Sequence, residues 1–179
     1  MCGIAGGVFW GDSTTSVDAK RAVRAMVQAL VHRGPDGQGI YASDSVSAAG
    51  DGSGPLVVLG HTRLAILDVS DAGAQPMGGL NGRPCITYNG EAYNFIELKA
   101  ELERKGALFS SRTDTEVLLR GYDVWGIGLL ERLRGMFAFA LWDQAEKRLL
   151  IARDRLGIKP MYYFRGDGFL LFASEVRTL

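Results

Sequence analysis

The chain has 179 residues, a length typical of one domain that can bury a sizeable core. Hydrophobic residues make up 47% of it and charged residues 22%, which excludes disorder driven by excess charge. Its twenty basic residues are balanced by twenty acidic ones, so electrostatics gives no reason to expect nucleic acid or an anionic membrane as a partner.

In the first half of the chain the pattern predicts one helix and several short strands. The apolar, glycine-rich residues 4–10 are typical of a buried strand. Apolar residues at helical spacing predict a helix over residues 17–32. The GDGSGP segment at residues 50–55 predicts a loop between strands. Further strand-like runs lie at residues 57–59, 65–67 and 85–88.

The second half predicts two helices followed by a series of strands. A helix is predicted after Asn94, with Gly106 as its stop, and another opens at Thr113, where Glu116 completes a capping-box pattern. Strand-like runs lie at residues 136–142, 149–152, 161–164 and 169–173. Because many strands follow one another without an intervening helix, we expect antiparallel sheets and an α+β layered fold.

Membrane, secretion and metal signals are absent from the sequence. No apolar run approaches the roughly 20 residues of a membrane span, and the N-terminus lacks the basic leader of a signal peptide. Two cysteines make neither a disulfide framework nor a metal cluster. We therefore expect a soluble, cytoplasmic protein with no membrane partner and no metal site.

Cys2 is a candidate nucleophile. Removal of Met1 would give this residue both a thiol and a free α-amine. A free thiol, with a pKa of about 8.5, is only a few per cent ionised at neutral pH, whereas an α-amine with a pKa of about 7.7–8.0 can accept its proton. Nucleophile and base then come from one residue. The alternative is a small buried side chain at the start of a strand.

Seven short strings stand in one order along the chain. They are MCGIAG at 1–6, HRGPDG at 32–37, GHTRLAI at 60–66, YNGEAYN at 88–94, TDTEV at 113–117, GMFAFALWD at 135–143 and RDRLGIKPMYY at 153–163. Together they resemble the N-terminal glutaminase domain of asparagine synthetases, which are class II glutamine amidotransferases. The resemblance implies one glutaminase domain over residues 1–179. It also implies the N-terminal-nucleophile hydrolase fold, a four-layer αββα sandwich with two antiparallel sheets.

The resemblance assigns the chemistry to three residues. Cys2 is expected to form a γ-glutamyl thioester and release ammonia. The Asn89 side-chain amide and the Gly90 backbone N–H are expected to form the oxyanion hole. Outside this context, an Asn-Gly dipeptide most commonly indicates a type I′ hairpin turn, which is the alternative here.

The resemblance also implies how the amino-acid end of glutamine is held. Arg63 is expected to bind the α-carboxylate, for which its planar fork is suited, and Asp114 to receive the α-ammonium group. The alternatives are a solvated arginine and an acid favoured by the helix dipole. Glu91 is expected to line the pocket, and the backbone near Leu64 and Ile66 to contact the substrate.

Other polar residues in these strings are expected to be structural. His32 and His61 are not needed by the family mechanism, and each is expected to organise a loop. Cys85 is expected to be a core thiol. The basic residues of RDRLGIK at 153–159 are expected to pair structurally with Asp154, or to dock against a following domain.

The implied function is hydrolysis of L-glutamine to L-glutamate and ammonia. A synthetase domain, absent from these residues and supplied in cis or by a partner chain, would use the ammonia to amidate an acid acceptor. ATP and magnesium are expected only for that domain, because no phosphate-binding signature occurs here, and the glutaminase domain needs no cofactor. Homodimerisation stays open. Two alternatives remain: a glutamine-binding regulatory module that retains Met1, and an amidase for another substrate.

Overall fold

The strands pair into two antiparallel sheets. This computed structural model describes residues 1–10, 16–43, 54–65, 70–79 and 84–179. The described strands are β1 (Gly3–Phe9), β2 (Gly37–Ala42), β3 (Leu56–Arg63), β4 (Met77–Gly78), β5 (Cys85–Ala92), β6 (Gly135–Asp143), β7 (Arg148–Arg153), β8 (Tyr162–Gly166) and β9 (Phe169–Ala173). One sheet has the order β2-β3-β1-β9-β8 and the other the order β4-β5-β6-β7.

Helices lie on both outer faces of this pair of sheets. The described α-helices are α1 (Ser16–Ala29), α2 (Phe95–Arg104), α3 (Asp114–Trp125) and α4 (Leu129–Arg132). Short 3-10 turns occur at Val31–Arg33, Asp71–Gly73, Gly126–Gly128 and Val176–Thr178. No helix in the described residues is long and apolar enough to cross a membrane.

The side-chain alternation of β3 separates two layers of the core. Val58 faces α1 and belongs to the apolar cluster between that helix and the first sheet. Val57 and Leu59 point the other way and pack between the two sheets with Phe172 and Trp142. A third cluster joins α2, α3 and α4 to the outer face of the second sheet. The αββα layering that the resemblance implies is therefore confirmed.

Most predicted elements lie within the observed ones. The strand predicted at 161–164 is β8, displaced by one residue at its start, and α1 ends at Ala29 before the turn Val31–Arg33 completes the predicted helical stretch. Residue 65 lies outside any strand, and residues 66, 67 and 50–53 are outside the described residues. The prediction missed β2, β4 and α4, because β2 is a partly buried edge strand and the other two have only two and four residues.

The Asn-Gly dipeptide at positions 89 and 90 is not a turn. Both residues lie inside β5 and pair with Ala138 and Phe137 of β6. A Cβ atom at Gly90 would lie 2.7 Å from the Cα of Phe137, closer than real Cβ contacts come. Glycine at this position lets the two strands approach, and the hairpin interpretation is wrong.

Candidate active site

A cleft of about 100 Å³ lies where β1 begins, β3 ends and β5 passes the N-terminus of α3. It brings together most of the residues singled out from the sequence. Those that line it are Cys2, Arg63, Leu64, Asn89, Gly90, Glu91 and Asp114. Ile66 is outside the described residues. Residues 112 positions apart in the chain thus share one small cavity.

Backbone contacts on both sides hold Cys2 in place. The Leu64 backbone N–H donates to the Cys2 Sγ over 3.3 Å, so Leu64 contacts the thiol through its main chain. The Cys2 carbonyl oxygen accepts from Arg33 Nε at 3.1 Å. The next residue, Gly3, donates its N–H to the Thr62 Oγ1 over 3.0 Å. These contacts fix the position of Cys2 in the cleft.

Asn89 presents an unused hydrogen-bond donor. Asn89 is only 2% exposed, and its Nδ2 has no hydrogen-bond partner among the described residues. Buried amide donors are nearly always paired in folded proteins, and an unpaired one costs roughly 1–3 kcal/mol. This donor can therefore serve an acceptor atom that enters the cleft.

Asp114 is a buried carboxylate at the first position of α3. Its Oδ2 accepts hydrogen bonds from the Tyr88 hydroxyl at 2.7 Å and from the Ala92 N–H at 3.0 Å. Burial raises the pKa of Asp114 above its usual 3.8, although these hydrogen bonds act in the opposite direction. A positively charged group entering the cleft would favour the ionised form.

The helix start that carries Asp114 is fixed by its neighbours. Thr113 caps α3 by accepting a hydrogen bond from the Glu116 N–H at 3.2 Å, as the sequence pattern predicts. The Glu116 carboxylate binds the backbone N–H groups of Ser110 and Ser111 at 3.0 and 2.6 Å. The reciprocal bond of a full capping box is thus replaced by a clamp on the preceding loop.

Arg63 is the last residue of β3 and lines the cleft. Its Nη1 donates to the Ser70 carbonyl oxygen over 2.9 Å, which fixes one side of the guanidinium group. The cleft therefore carries a cation at Arg63 and an acid at Asp114, together with the Cys2 thiol and the Asn89 amide.

The family model for the glutamine amidotransferase domain matches residues 1–179. The chain belongs to this family. It is 38% identical over 179 residues to "Asparagine synthetase [glutamine-hydrolyzing] 1" of Bacillus subtilis, covering 100% of this chain and 26% of that protein. It is 37% identical over 185 residues to "Amidase chry2" of Gibberella zeae, covering 99% of this chain and 26% of that protein.

A solved structure supports the assignment. Glutamine phosphoribosylpyrophosphate amidotransferase from B. subtilis superposes with a TM-score of 0.77 at 25% identity, covering 99% of this chain and 42% of that one. The resemblance found in the sequence motifs is therefore confirmed. The amidotransferase domain spans about a quarter of the length of the curated relatives it matches.

Neither histidine of the amidotransferase domain lines the cleft. His61 is buried between the sheets, where its Nδ1 lies 3.1 Å from the Thr87 Oγ1. Burial, assisted by the charge of Arg63, lowers the pKa of His61 to about 3, so the ring is neutral at physiological pH. The expectation that His61 organises a loop is wrong, because it joins two strands of different sheets.

The remaining cysteine is inert by its surroundings. Cys85 is buried between the sheets, and burial raises the pKa of its thiol to about 12. The prediction of a core thiol is confirmed. Among the described residues of the amidotransferase domain, no group of three or more His, Cys, Asp or Glu side chains could hold a metal ion.

Gln75, Tyr88 and Lys159 are among the cleft-lining side chains that sequence reasoning missed. Gln75 accepts from the Tyr88 N–H at 2.7 Å and donates to the Thr115 Oγ1 over 3.2 Å, bridging β5 to α3. No local pattern marks a lone glutamine in a loop. Lys159 belongs to the RDRLGIKPMYY string, whose basic residues were expected to pair with Asp154 or to dock against a following domain. Its side chain instead lies in the cleft and does not pair with Asp154.

A charged cluster behind Cys2 supports its position. Glu175 contacts His32 Nε2 at 2.8 Å, Arg33 Nη1 at 3.0 Å and Arg177 Nε at 2.8 Å. Burial opposes ionisation of Glu175, but hydrogen bonds from these three residues outweigh it and lower the pKa of Glu175 to about 2. Arg33 therefore couples the cluster to the carbonyl oxygen of Cys2.

We expect Glu175→Gln to lower the free energy of unfolding at pH 7 by about 2 kcal/mol, less than the whole pKa shift would give because solvent screens part of the interaction. The folded-state pKa of about 2 lies below the usual 4.5, so the stabilisation is complete above pH 4.5 and is lost as the pH falls towards 2. Urea unfolding of both proteins between pH 7 and pH 3 should show the stability difference shrinking with acidity. A constant difference would contradict this role of the carboxylate.

Proposed function

We propose that this amidotransferase domain hydrolyses L-glutamine to L-glutamate and ammonia through a thioester on Cys2, after removal of Met1. The observation that supports this most strongly is the composition of the cleft. A thiol, an unpaired buried amide donor and two opposite charges converge there from four separate chain segments. Each group matches one requirement of the reaction.

The first half of the reaction needs a nucleophile, a base and an oxyanion site. The freed α-amine of Cys2 takes the thiol proton, and Sγ attacks the carboxamide carbon of glutamine. The developing oxyanion accepts hydrogen bonds from the Asn89 Nδ2 and the Gly90 N–H. When the C–N bond breaks, the amine returns its proton to the leaving nitrogen, which departs as ammonia.

The second half regenerates the free enzyme. Water attacks the γ-glutamyl thioester while the same α-amine accepts its proton, and the oxyanion again binds at Asn89 and Gly90. Cleavage of the C–S bond releases glutamate and returns a proton to the thiolate. No group outside the cleft is required for either half.

Substrate recognition is assigned to the two opposite charges. Arg63 binds the α-carboxylate through its guanidinium fork, and Asp114 binds the α-ammonium group. Glu91 is an exposed lining residue at the rim, and the Leu64 backbone borders the substrate beside Cys2. Ile66 stays a prediction as a backbone contact.

We expect Asp114→Asn to raise the KM for glutamine by about 100-fold and to change kcat much less, because a buried charge partner is lost from substrate binding. Asparagine keeps an oxygen for the Tyr88 hydroxyl and the Ala92 N–H. Since the folded-state pKa of Asp114 is raised, ionisation of the carboxyl costs stability as the pH rises through that pKa. The variant should therefore melt no lower than the parent at pH 7.

Steady-state ammonia release measured against pH tests this assignment. In the parent, KM should rise as acidity protonates Asp114, and in Asp114→Asn it should lose that dependence. An unchanged KM in the variant would contradict a role in glutamine recognition. It would favour an amidase with another substrate.

The ammonia is proposed to pass to a synthetase domain, in cis or in a partner chain. The curated relatives are about four times longer than this domain, and one is named for glutamine-hydrolysing asparagine synthesis. Exposed aromatic and aliphatic side chains at one edge of the first sheet offer a surface for such a domain: Tyr162, Tyr163, Phe164 and Val176. An acid acceptor, with ATP and magnesium, belongs to that domain. Homodimerisation and a cytoplasmic location stay predictions.

A further inference from the structure

Lys159 places a buried positive charge in the cleft. The residue is 5% exposed, and its Nζ donates to the Met1 Sδ over 3.0 Å. Within the described residues no carboxylate lies within ion-pair distance of this ammonium group. A thioether sulfur is a weak acceptor. A lysine this buried is normally paired with an acid, so its arrangement here needs an explanation.

Several hydrogen bonds hold the loop that carries Lys159 in one conformation. The Asp154 carboxylate accepts backbone N–H groups of Leu156 at 3.2 Å, Ile158 at 2.8 Å and Lys159 at 3.0 Å. Arg153 Nε donates to the Lys159 carbonyl oxygen over 2.6 Å. These bonds fix the main chain on both sides of the lysine.

The same carboxylate ties this loop to the strand beside the oxyanion site. Asp154 Oδ2 accepts the Phe137 N–H at 3.2 Å, and Phe137 is the β6 partner of Gly90. Lys159 is thus held against the part of the second sheet that carries Asn89 and Gly90. The Lys159 side chain is therefore a fixed part of the cleft and is not a mobile side chain on the surface.

Removal of Met1 changes the surroundings of this charge. The Met1 Sδ is five covalent bonds from the Cys2 nitrogen, which places Nζ within roughly 10 Å of the new α-amine. Removal of Met1 takes away this hydrogen-bond acceptor and leaves the new α-amine within that distance of Nζ.

The other charged groups around Cys2 have partners or lie at the rim. Arg33 is paired with Glu175, and Asp114 binds the Tyr88 hydroxyl. Arg63 contacts Ser70, and Glu91 is exposed. Lys159 is therefore the buried charge in this cleft that no described acid offsets.

We propose that Lys159 is a positioning residue whose fixed positive charge favours the unprotonated form of the freed α-amine of Cys2 in the resting enzyme, so that the amine is ready to accept the thiol proton when Sγ attacks. This inference rests on the proposed function. A cation near an amine disfavours a second positive charge, and the same cation favours a thiolate. The lysine thereby extends the activity of Cys2 to lower pH without touching the reacting atoms.

The test compares the acidic limb of the pH profile of kcat/KM for glutamine in chains that begin at Cys2. We expect Lys159→Met to move the midpoint of this limb up by about one pH unit, the effect of one charge roughly 9 Å away at an effective dielectric constant of about 20. Lys159→Arg, which keeps the charge, should keep the midpoint. Lys105→Met, at the exposed end of α2, is the matched control.

Alkylation of Cys2 by iodoacetamide, followed against pH, gives a second readout that does not require turnover. Its midpoint should rise in Lys159→Met and in the alternative neutral variant Lys159→Gln, which serves if the first does not fold. Unchanged midpoints, or a loss of rate that is equal at every pH, would overturn the inference. A parent chain that alkylates normally but releases no ammonia from glutamine would instead overturn the proposed function.

Discussion

Cys2→Ala should reduce glutamine hydrolysis by at least about 10⁴-fold while glutamine still binds, because the variant removes only the proposed nucleophile and keeps the α-amine, Arg63 and Asp114. Cys85→Ala is the matched control. It deletes the other thiol, which is buried and has a pKa raised to about 12. We expect its turnover to equal that of the parent and its melting temperature to fall.

Ammonia release and calorimetric binding of glutamine measured side by side check this prediction. Hydrolysis retained in Cys2→Ala, or lost in Cys85→Ala with the fold intact, would contradict the assignment of the nucleophile. A chain that retains Met1, binds glutamine and releases no ammonia would behave as the regulatory module considered from the sequence. Its Met1 side chain lines the cleft and contacts Lys159.

Asn89→Ala should lower kcat by about 10²–10³-fold, equivalent to roughly 2.7–4 kcal/mol of transition-state stabilisation. The expected cost falls on the rate and not on the fold. The Asn89 Nδ2 has no partner among the described residues, so its removal breaks no hydrogen bond of the free protein. The melting temperature should stay close to that of the parent.

Asn94→Ala is a control variant for which we expect the opposite effects on stability and on kcat. Its Nδ2 donates to the Arg132 carbonyl oxygen over 2.9 Å, and its Oδ1 accepts the Arg134 N–H at 3.0 Å. Asn94→Ala should therefore lower stability and leave kcat unchanged. If Asn89→Ala instead destabilised the domain without slowing turnover, the amide would be a structural group and the oxyanion assignment would fail.

The four-layer fold explains why these groups meet. In the first sheet β1 and β3 are antiparallel neighbours, so the start of β1 and the end of β3 lie side by side at the same end of the sheet. Cys2 and Leu64 come from those two points. The second sheet adds β5, and the Tyr88 hydroxyl on its outer face reaches the N-terminus of α3. The site therefore depends on both sheets and on one helix start.

Much of this arrangement was predictable from the sequence, for identifiable reasons. Helices with clear caps and apolar runs of strand length were found because their patterns are local. The strand conformation of residues 89 and 90 could not be predicted from local sequence. An Asn-Gly pair by itself favours a turn, and here it is the pairing with a neighbouring strand that makes it part of β5. Only the match of several motifs in register pointed to the position of that segment in the cleft.

The residues that sequence reasoning missed share a dependence on tertiary contacts. Gln75 acts through bonds to Tyr88 and Thr115, which lie 13 and 40 positions away in the chain. Lys159 was grouped with neighbouring basic residues, but Arg153 and Arg155 donate to carbonyl oxygens while the lysine enters the cleft. His61 gave no signal of burial between two sheets. Contacts between residues that are far apart in the sequence decide the roles of these three side chains.

The most direct test of the mechanism is to treat the purified protein with a glutamine-analogue electrophile and to locate the label by intact mass and peptide mapping. We predict one equivalent of label, on Cys2, in chains that have lost Met1, with protection by glutamine. Labelling of Cys85, or equal labelling and equal hydrolysis in chains that still carry Met1, would contradict a mechanism based on a freed N-terminal cysteine.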